Sequence, residues 1–275
     1  MPEPSPSTTK AVILARGLGS RMRARDADAS LTPQQAETAD TGMKAMIPID
    51  RPFLDYVLGA LADAGFSDVC IVVGPEHQAI REHYDRIPLQ RLRLHFAVQS
   101  EPRGTADAVL AAETFVADQP FVVLNADNFY PPNVLAALRA APSPAALAFR
   151  RDGLLRDGNI PPDRIAKYAI LDVDASGWIT RVIEKPPQEV LDRAGHDPWI
   201  SMNCWLVDAS VLRACREVAP SARGELELPI AAQLAIEQHG VRMTAVRVDA
   251  GVLDLSQRSD VASVADRLRG TPVNL

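Results

Sequence analysis

Short apolar runs alternate with helical spacings along the first half of the chain. Ala11–Leu14 (AVIL), Val69–Val73 (VCIVV), Leu92–Val98 (LRLHFAV) and Phe121–Leu124 (FVVL) read as strands, mostly buried on both faces. Phe53–Ala64, Glu76–Tyr84 and Thr105–Phe115 read as helices between them. This alternation predicts an α/β fold, a Rossmann-like doubly wound sheet that is mostly parallel. In such sheets ligands bind beyond the carboxyl ends of the strands. The glycine loop after Leu14 and the acidic turn after Leu124 both fall at such ends.

The texture changes after Pro131. Ala145–Arg150, Tyr168–Val173, Trp178–Ile183 and Ile200–Val207 read as strands of a smaller, strand-rich subregion, with Asp174–Gly177 (DASG) as a hairpin turn. A helix is expected over Glu225–Gln238, then a strand at Val241–Val248 and a last helix over Ser259–Leu268. There is no internal repeat and no hexapeptide repeat, so a left-handed β-helix is not expected. The stretch Arg23–Gly42 is polar and short of large apolar residues, and reads either as a mobile lid or as an uninvolved surface insertion.

Composition narrows the class. The chain has 275 residues, is 47% hydrophobic and carries a formal charge of −6, enough for one large domain or two closely joined halves. The acidic balance speaks against a nucleic-acid or membrane-surface partner, and no apolar run approaches the roughly 18 residues of a span. Residues 1–9 (MPEPSPSTT) read as a disordered tail without the apolar core of a signal peptide. Cys70, Cys204 and Cys215 sit in apolar or helical contexts and read as buried, reduced thiols of a cytoplasmic protein. No cysteine or histidine spacing suggests zinc.

The densest chemistry lies in AVILARGLGSRM, residues 11–22. Gly17 and Gly19 allow a tight turn and close approach of the backbone to a ligand. Ser20 is placed to cap a following helix, and Arg21 to clamp phosphate oxygens. Read structurally, Arg21 is a solvated arginine at a helix start. GLGSRM lacks the third glycine of GxGxxG, which disfavours a dinucleotide-dependent oxidoreductase.

Four later segments join this loop in order: Lys44 in MKAMIPID, Gln99 ahead of EPRGTADAV, Asp127 in VVLNADNFY, and Glu184-Lys185-Pro186 after a strand. In order and spacing the set resembles the sugar-1-phosphate nucleotidyltransferases, from about Lys10 to about Leu268. The resemblance implies one continuous catalytic domain, with residues 10–130 as the nucleotide-binding half and 131–275 as the sugar-phosphate half. It implies transfer of a nucleoside monophosphate from an NTP to a sugar 1-phosphate with release of pyrophosphate. Such chemistry rests on positioning and charge neutralisation.

By this resemblance Leu14, Ala15, Gly17, Gly19, Ser20 and Asn125 line the nucleotide. Arg21 and Lys44 meet its phosphates. Gln99, Gly104 and Thr105 read the base; uracil, thymine and guanine all fit a glutamine amide. Asp127 and a late carboxylate hold Mg²⁺, the late one being Asp254, with Asp249 and Asp260 as nearby competitors. Glu184 accepts sugar hydroxyls, Lys185 holds the sugar phosphate, and Asn203, Tyr168 and Ala169 border the sugar. The family often forms dimers or tetramers.

Each residue also has a plain structural reading: Lys44 on the surface, Asp127 in an Asx turn, Gln99 ending a strand, Thr105 as a helix cap, Glu184–Lys185 as an exposed pair. Trp199 and Trp205 read as core. The chain departs from the family pattern at Arg16, Ala126, Ala169 and the Arg23–Gly42 insertion. Arg16 is open to a phosphate contact, a salt bridge elsewhere or crowding of the nucleotide. These departures suggest an unusual acceptor such as a heptose or cyclitol phosphate. The competing class is a non-catalytic nucleotide-sugar sensor or regulatory subunit; an alcohol phosphate or phosphocholine acceptor is a third reading.

Overall fold

Three of the apolar runs of the first half become strands buried on both faces, whereas the edge strand Arg93–Val98 stays partly exposed. A computed structural model describes residues 8–194 and 198–275. Its strands are β1 (Lys10–Leu14), β2 (Asp68–Val73), β3 (Arg93–Val98), β4 (Phe121–Asn125), β5 (Asn128–Phe129) and β6 (Ala145–Arg150). They continue as β7 (Ile170–Val173), β8 (Trp178–Ile183), β9 (Trp199–Ile200), β10 (Trp205–Val207), β11 (Met243–Val248) and β12 (Leu253–Asp254). Among the described residues ten of these form one sheet, in the order β11-β8-β7-β9-β6-β10-β4-β1-β2-β3, and β11 also pairs with β6. Along β1, Ala11 and Ile13 point into one core and Val12 into the other. That two-sided burial is why the strand carries no polar alternation.

The parallel expectation holds for β3, β2, β1 and β4. Beyond β4 the sheet is mixed: β10 runs antiparallel to β4 and β6, and β7 antiparallel to β8 and β9. For β7 and β8 the cause is connection length. The β7–β8 link is the tight DASG turn, and a parallel partner needs a crossover of a dozen or more residues. The chain leaves β1 toward β2 and β3, then returns to β4 on the other side of β1. This reversal makes the carboxyl ends of β1 and β4, where Leu14 pairs with Asn125, the switch point of the sheet.

Several predicted elements shift. Thr105–Phe115 divides at Ala112 into helices Thr105–Ala111 and Glu113–Val116. Ile200–Val207 is interrupted between β9 and β10, where Asn203 takes φ 59°. The helix expected from Glu225 begins at Leu228, with Pro229 in its first turn, so Glu225–Glu227 is extended loop. Helices Pro132–Arg139, Arg151–Asp157 and Ala209–Glu217 are additional. The polar stretch Arg23–Gly42 is not a plain loop. It contains helix Pro33–Thr41, opened by a reciprocal capping box between Thr32 and Gln35 and closed by Gly42 at φ 78°. Its polar composition reflects a helix that buries only Gln35 and Ala39.

The tail expectation falls on residues 1–7, outside the described residues, and on Thr8 and Thr9, which are tied down. Thr8 donates to the Pro120 carbonyl at 2.5 Å, and the Thr9 carbonyl accepts from Ser67 and Asp68. Cys70, Cys204 and Cys215 are free and buried; burial pushes the Cys70 and Cys215 thiols up to about 12. Trp205 is core, whereas Trp199 is half-buried between the Arg150 and Arg247 guanidiniums, 5.5 and 5.6 Å from its ring centre. Among the described residues no helix is long and apolar enough to cross a membrane.

Candidate active site

Two adjoining cavities open at the switch point. The first, about 380 Å³, lies over the carboxyl ends of β1 and β4. Leu14, Ala15, Gly17, Gly19, Ser20, Arg21, Lys44, Gln99, Gly104, Thr105, Asn125 and Asp127 all line it. The second, about 490 Å³, is lined by Tyr168, Glu184, Lys185, Asn203 and Asp254 among others. Arg21, Lys44, Thr105, Asn125, Asp127 and Glu225 border both.

The glycine loop runs from the end of β1 at Leu14 to the helix that starts at Ser20. Ala15 still donates to the Val72 carbonyl, and Ala126 donates to that of Leu14, so the two loops leave the sheet side by side. Gly19 takes φ 63° and is itself the cap of helix Ser20–Arg23. Ser20 is therefore the first helical residue and makes no side-chain cap, contrary to expectation. A Cβ at Gly19 would collide with the Gly42 carbonyl, so the turn needs glycine on both counts.

At the meeting of the cavities, Lys44 Nζ lies 2.8 Å from Asp127 Oδ2. β5 and β12 pair antiparallel, setting Asp254 opposite Asn128, one residue from Asp127. Asp254 is 2% exposed. Its Oδ1 accepts from Asn128 at 3.1 Å and Ser256 at 2.9 Å; its Oδ2 accepts from Arg164 at 2.8 Å and Tyr168 at 2.9 Å. Burial, and then the charge of Asp127, push its carboxyl above the usual range. Two mutually repelling carboxylates in one cavity are a donor set that suits a hard divalent cation. Asp127 offers it an oxygen that Lys44 does not engage, and Asp254 would exchange one of its four donors. The competitors lie elsewhere: Asp249 pairs on the surface with Arg156 at 3.1 Å, and Asp260 is held by Arg164 and by the Ser256 and Gln257 amides at the start of the last helix.

Gln99 ends β3 and is 4% exposed. Its amide nitrogen donates to the Gly104 carbonyl at 3.0 Å and to Asp107 at 2.8 Å. Both N–H groups are thus spent, and the side-chain oxygen is what it presents to a ligand N–H. Arg16 is a brace: Nε donates to the Gln99 carbonyl at 3.1 Å, and NH1 lies 3.2 Å from Glu76. The Thr105 hydroxyl accepts from Leu228 N–H at 2.8 Å, so it caps helix Leu228–His239 rather than its own.

In the second cavity Glu184 and Glu227 are hydrogen-bonded, and burial followed by the Glu227 charge raises the Glu184 carboxyl to about 7. Burial alone would raise Glu227 as well. Hydrogen bonds from Ser221 and Arg223 and the charge of Lys185 outweigh it and hold that carboxyl low. Lys185 Nζ lies 3.7 Å from Glu184 and 3.6 Å from Glu227. Among the described residues Asn203 Oδ1 is buried without a hydrogen-bond partner. Ala169 does not reach the cavity: its side chain belongs to the core and its carbonyl accepts from Ser201 at 2.8 Å. The sequence reading missed Arg164, Lys167, Arg223, Glu225 and Glu227, which complete this wall. The one available signal was the charge-rich ARGELE run ahead of an apolar helix.

The chain is similar to known proteins over nearly its whole length. The nucleotidyl transferase family model matches residues 10–268. The UTP–glucose-1-phosphate uridylyltransferase AglF of Haloferax volcanii is 27% identical over 261 residues, covering 94% of this chain and 96% of that protein. A glucose-1-phosphate thymidylyltransferase of Actinoplanes sp. is 28% identical over 268 residues, covering 94% and 78%. A crystal structure of a UDP-glucose pyrophosphorylase complexed with UDP-glucose shares the fold, with TM-score 0.73, 18% identity and coverage of 96% and 99%. The chain belongs to the nucleotidyl transferase family.

Proposed function

We propose that this protein transfers a nucleoside monophosphate from an NTP to a sugar 1-phosphate, or to a sugar-like cyclitol 1-phosphate, releasing pyrophosphate and forming an NDP-sugar. The carrying observation is the junction of two cavities at Arg21, Lys44 and Asp127. The relatives named for uridylyl and thymidylyl transfer to glucose 1-phosphate support it.

The first cavity takes the NTP and the second the acceptor, so residues 10–130 chiefly serve the nucleotide and 131–275 the sugar phosphate. Gln99 Oε1 accepts the ring N–H of a uracil, thymine or guanine base. An oxygen of the acceptor phosphate attacks the α-phosphorus, and the bond to the bridging oxygen breaks with its electron pair leaving on pyrophosphate. Arg21 neutralises the departing charge and Lys44 that of the α-phosphate. Lys185 holds the acceptor phosphate, while Glu184, Asn203 and Tyr168 meet its hydroxyls. Asp127 and Asp254 would hold Mg²⁺, whose contribution is to neutralise phosphate charge and polarise the α-phosphate.

The test is pyrophosphate release across the common NTPs and a panel of sugar and cyclitol 1-phosphates, with and without Mg²⁺. The expected result is a metal-dependent signal confined to few base and acceptor combinations. Silence across the panel, with nucleotide-sugars still raising the Tm, would replace the enzyme reading by a sensor.

A further inference from the structure

The insertion that separates Arg21 from Lys44 is fastened at both ends to the site. Arg23, in the helix of Arg21, donates from Nε and NH2 to the Thr41 carbonyl at 3.1 and 2.7 Å. Gly42 follows, abuts Gly19 and accepts from Lys44 N–H at 2.9 Å. Gln35 anchors the same helix to the Pro48 carbonyl at 2.8 Å.

All of this is gathered by one buried side chain. Arg258, 7% exposed, lies four residues beyond Asp254. Its Nε donates to the Ala24 carbonyl at 3.0 Å and its NH2 to the Arg23 carbonyl at 3.5 Å, at the C-terminal end of helix Ser20–Arg23. The same NH2 pairs with Asp40, in the last turn of helix Pro33–Thr41. The guanidinium thus bridges the element carrying Arg21, the helix leading into Lys44, and the segment carrying Asp254. A planar fork makes these contacts together, as the point charge of a lysine does not.

We propose that Arg258 is a positioning residue for the triphosphate: it fixes the spacing of Arg21 and Lys44 against the Asp254 segment without touching substrate. This rests on the reading of the first cavity as the NTP site. It also gives the insertion a role as a docked spacer between two phosphate-binding cations, in place of a free lid.

The test compares wild type, Arg258→Ala, Arg258→Lys and Asp40→Ala, measuring NTP KM, acceptor KM and Tm. Asp40 is exposed, with 71% of its side chain accessible, so Asp40→Ala reports even if Arg258→Ala folds poorly. Misplaced phosphate contacts should raise the NTP KM about tenfold in Arg258→Ala and about threefold in Asp40→Ala, with acceptor KM within about twofold of wild type. Arg258→Lys should recover little. Equal changes in both KM values accompanying a fall in Tm would reduce Arg258 to fold support and overturn the proposal. So would an unchanged NTP KM in Asp40→Ala. A wild-type protein that neither binds nor turns over any NTP would instead remove the functional reading, and this inference with it.

Discussion

The two cavities are built from different materials. The first cavity is walled largely by loop backbone and small residues at the ends of parallel strands, drawn from a few compact segments. The second cavity is walled by charged side chains that come from helix Pro162–Ile165, loops and the β5–β12 pair, far apart in sequence. The contrast separates two tasks. On the proposed function, phosphates and a base edge would meet a fixed turn geometry, whereas an acceptor rich in hydroxyls would meet a network of opposed charges whose members hold one another in place.

Asp127 sits where the two regions meet, so its removal should do most. Asp127→Asn keeps the volume but not the charge, and turnover should fall by about 10³-fold with little change in Tm. Activity near wild type would detach the carboxylate from the chemistry. Gln99→Ala then separates the cavities: NTP KM should rise about tenfold while acceptor KM holds, because the lost acceptor faces only the base. A matching rise in acceptor KM would show that the base site does not stand apart.

The acceptor region should also be marked by pH. The Glu184 carboxyl is raised to about 7 from its ordinary 4.5. The folded protein therefore holds more protons than the unfolded chain between those values, and stability should fall as pH rises through that window. Tm against pH should show this slope in wild type and lose it in Glu184→Gln; an unchanged slope would assign it to another group. The smallest effect belongs to the seam between regions. Thr105→Val removes the cap on Leu228 N–H and should cost about 1 kcal/mol, a Tm shift of a few degrees, with NTP KM nearly unchanged. A large rise in NTP KM would return the hydroxyl to the nucleotide.

Legibility follows the same division. The strands Lys10–Leu14, Asp68–Val73 and Phe121–Asn125 were visible because burial on both faces leaves an unbroken apolar run. The loop of Gly17 and Gly19 was visible because its geometry is local. Helix Pro33–Thr41 was hidden because it is largely polar, although Thr32 and Gln35 spelled its capping box. The cap of Thr105 and the salt bridge of Arg16 were among the sequence readings, but their partners and the wall position of Glu227 were hidden because each lies distant in the chain.

By itself, then, the sequence determined the α/β class, the parallel strands of the first half and the glycine loop after Leu14, since apolar period and turn chemistry are properties of neighbouring residues. The tertiary structure decided that Asp254 rather than Asp249 or Asp260 shares a cavity with Asp127, that Ala169 is core, and that Arg258 binds the insertion to the Asp254 segment. Those outcomes depend on strand pairing and on which buried charges find each other, and neither is written in any local stretch of the chain.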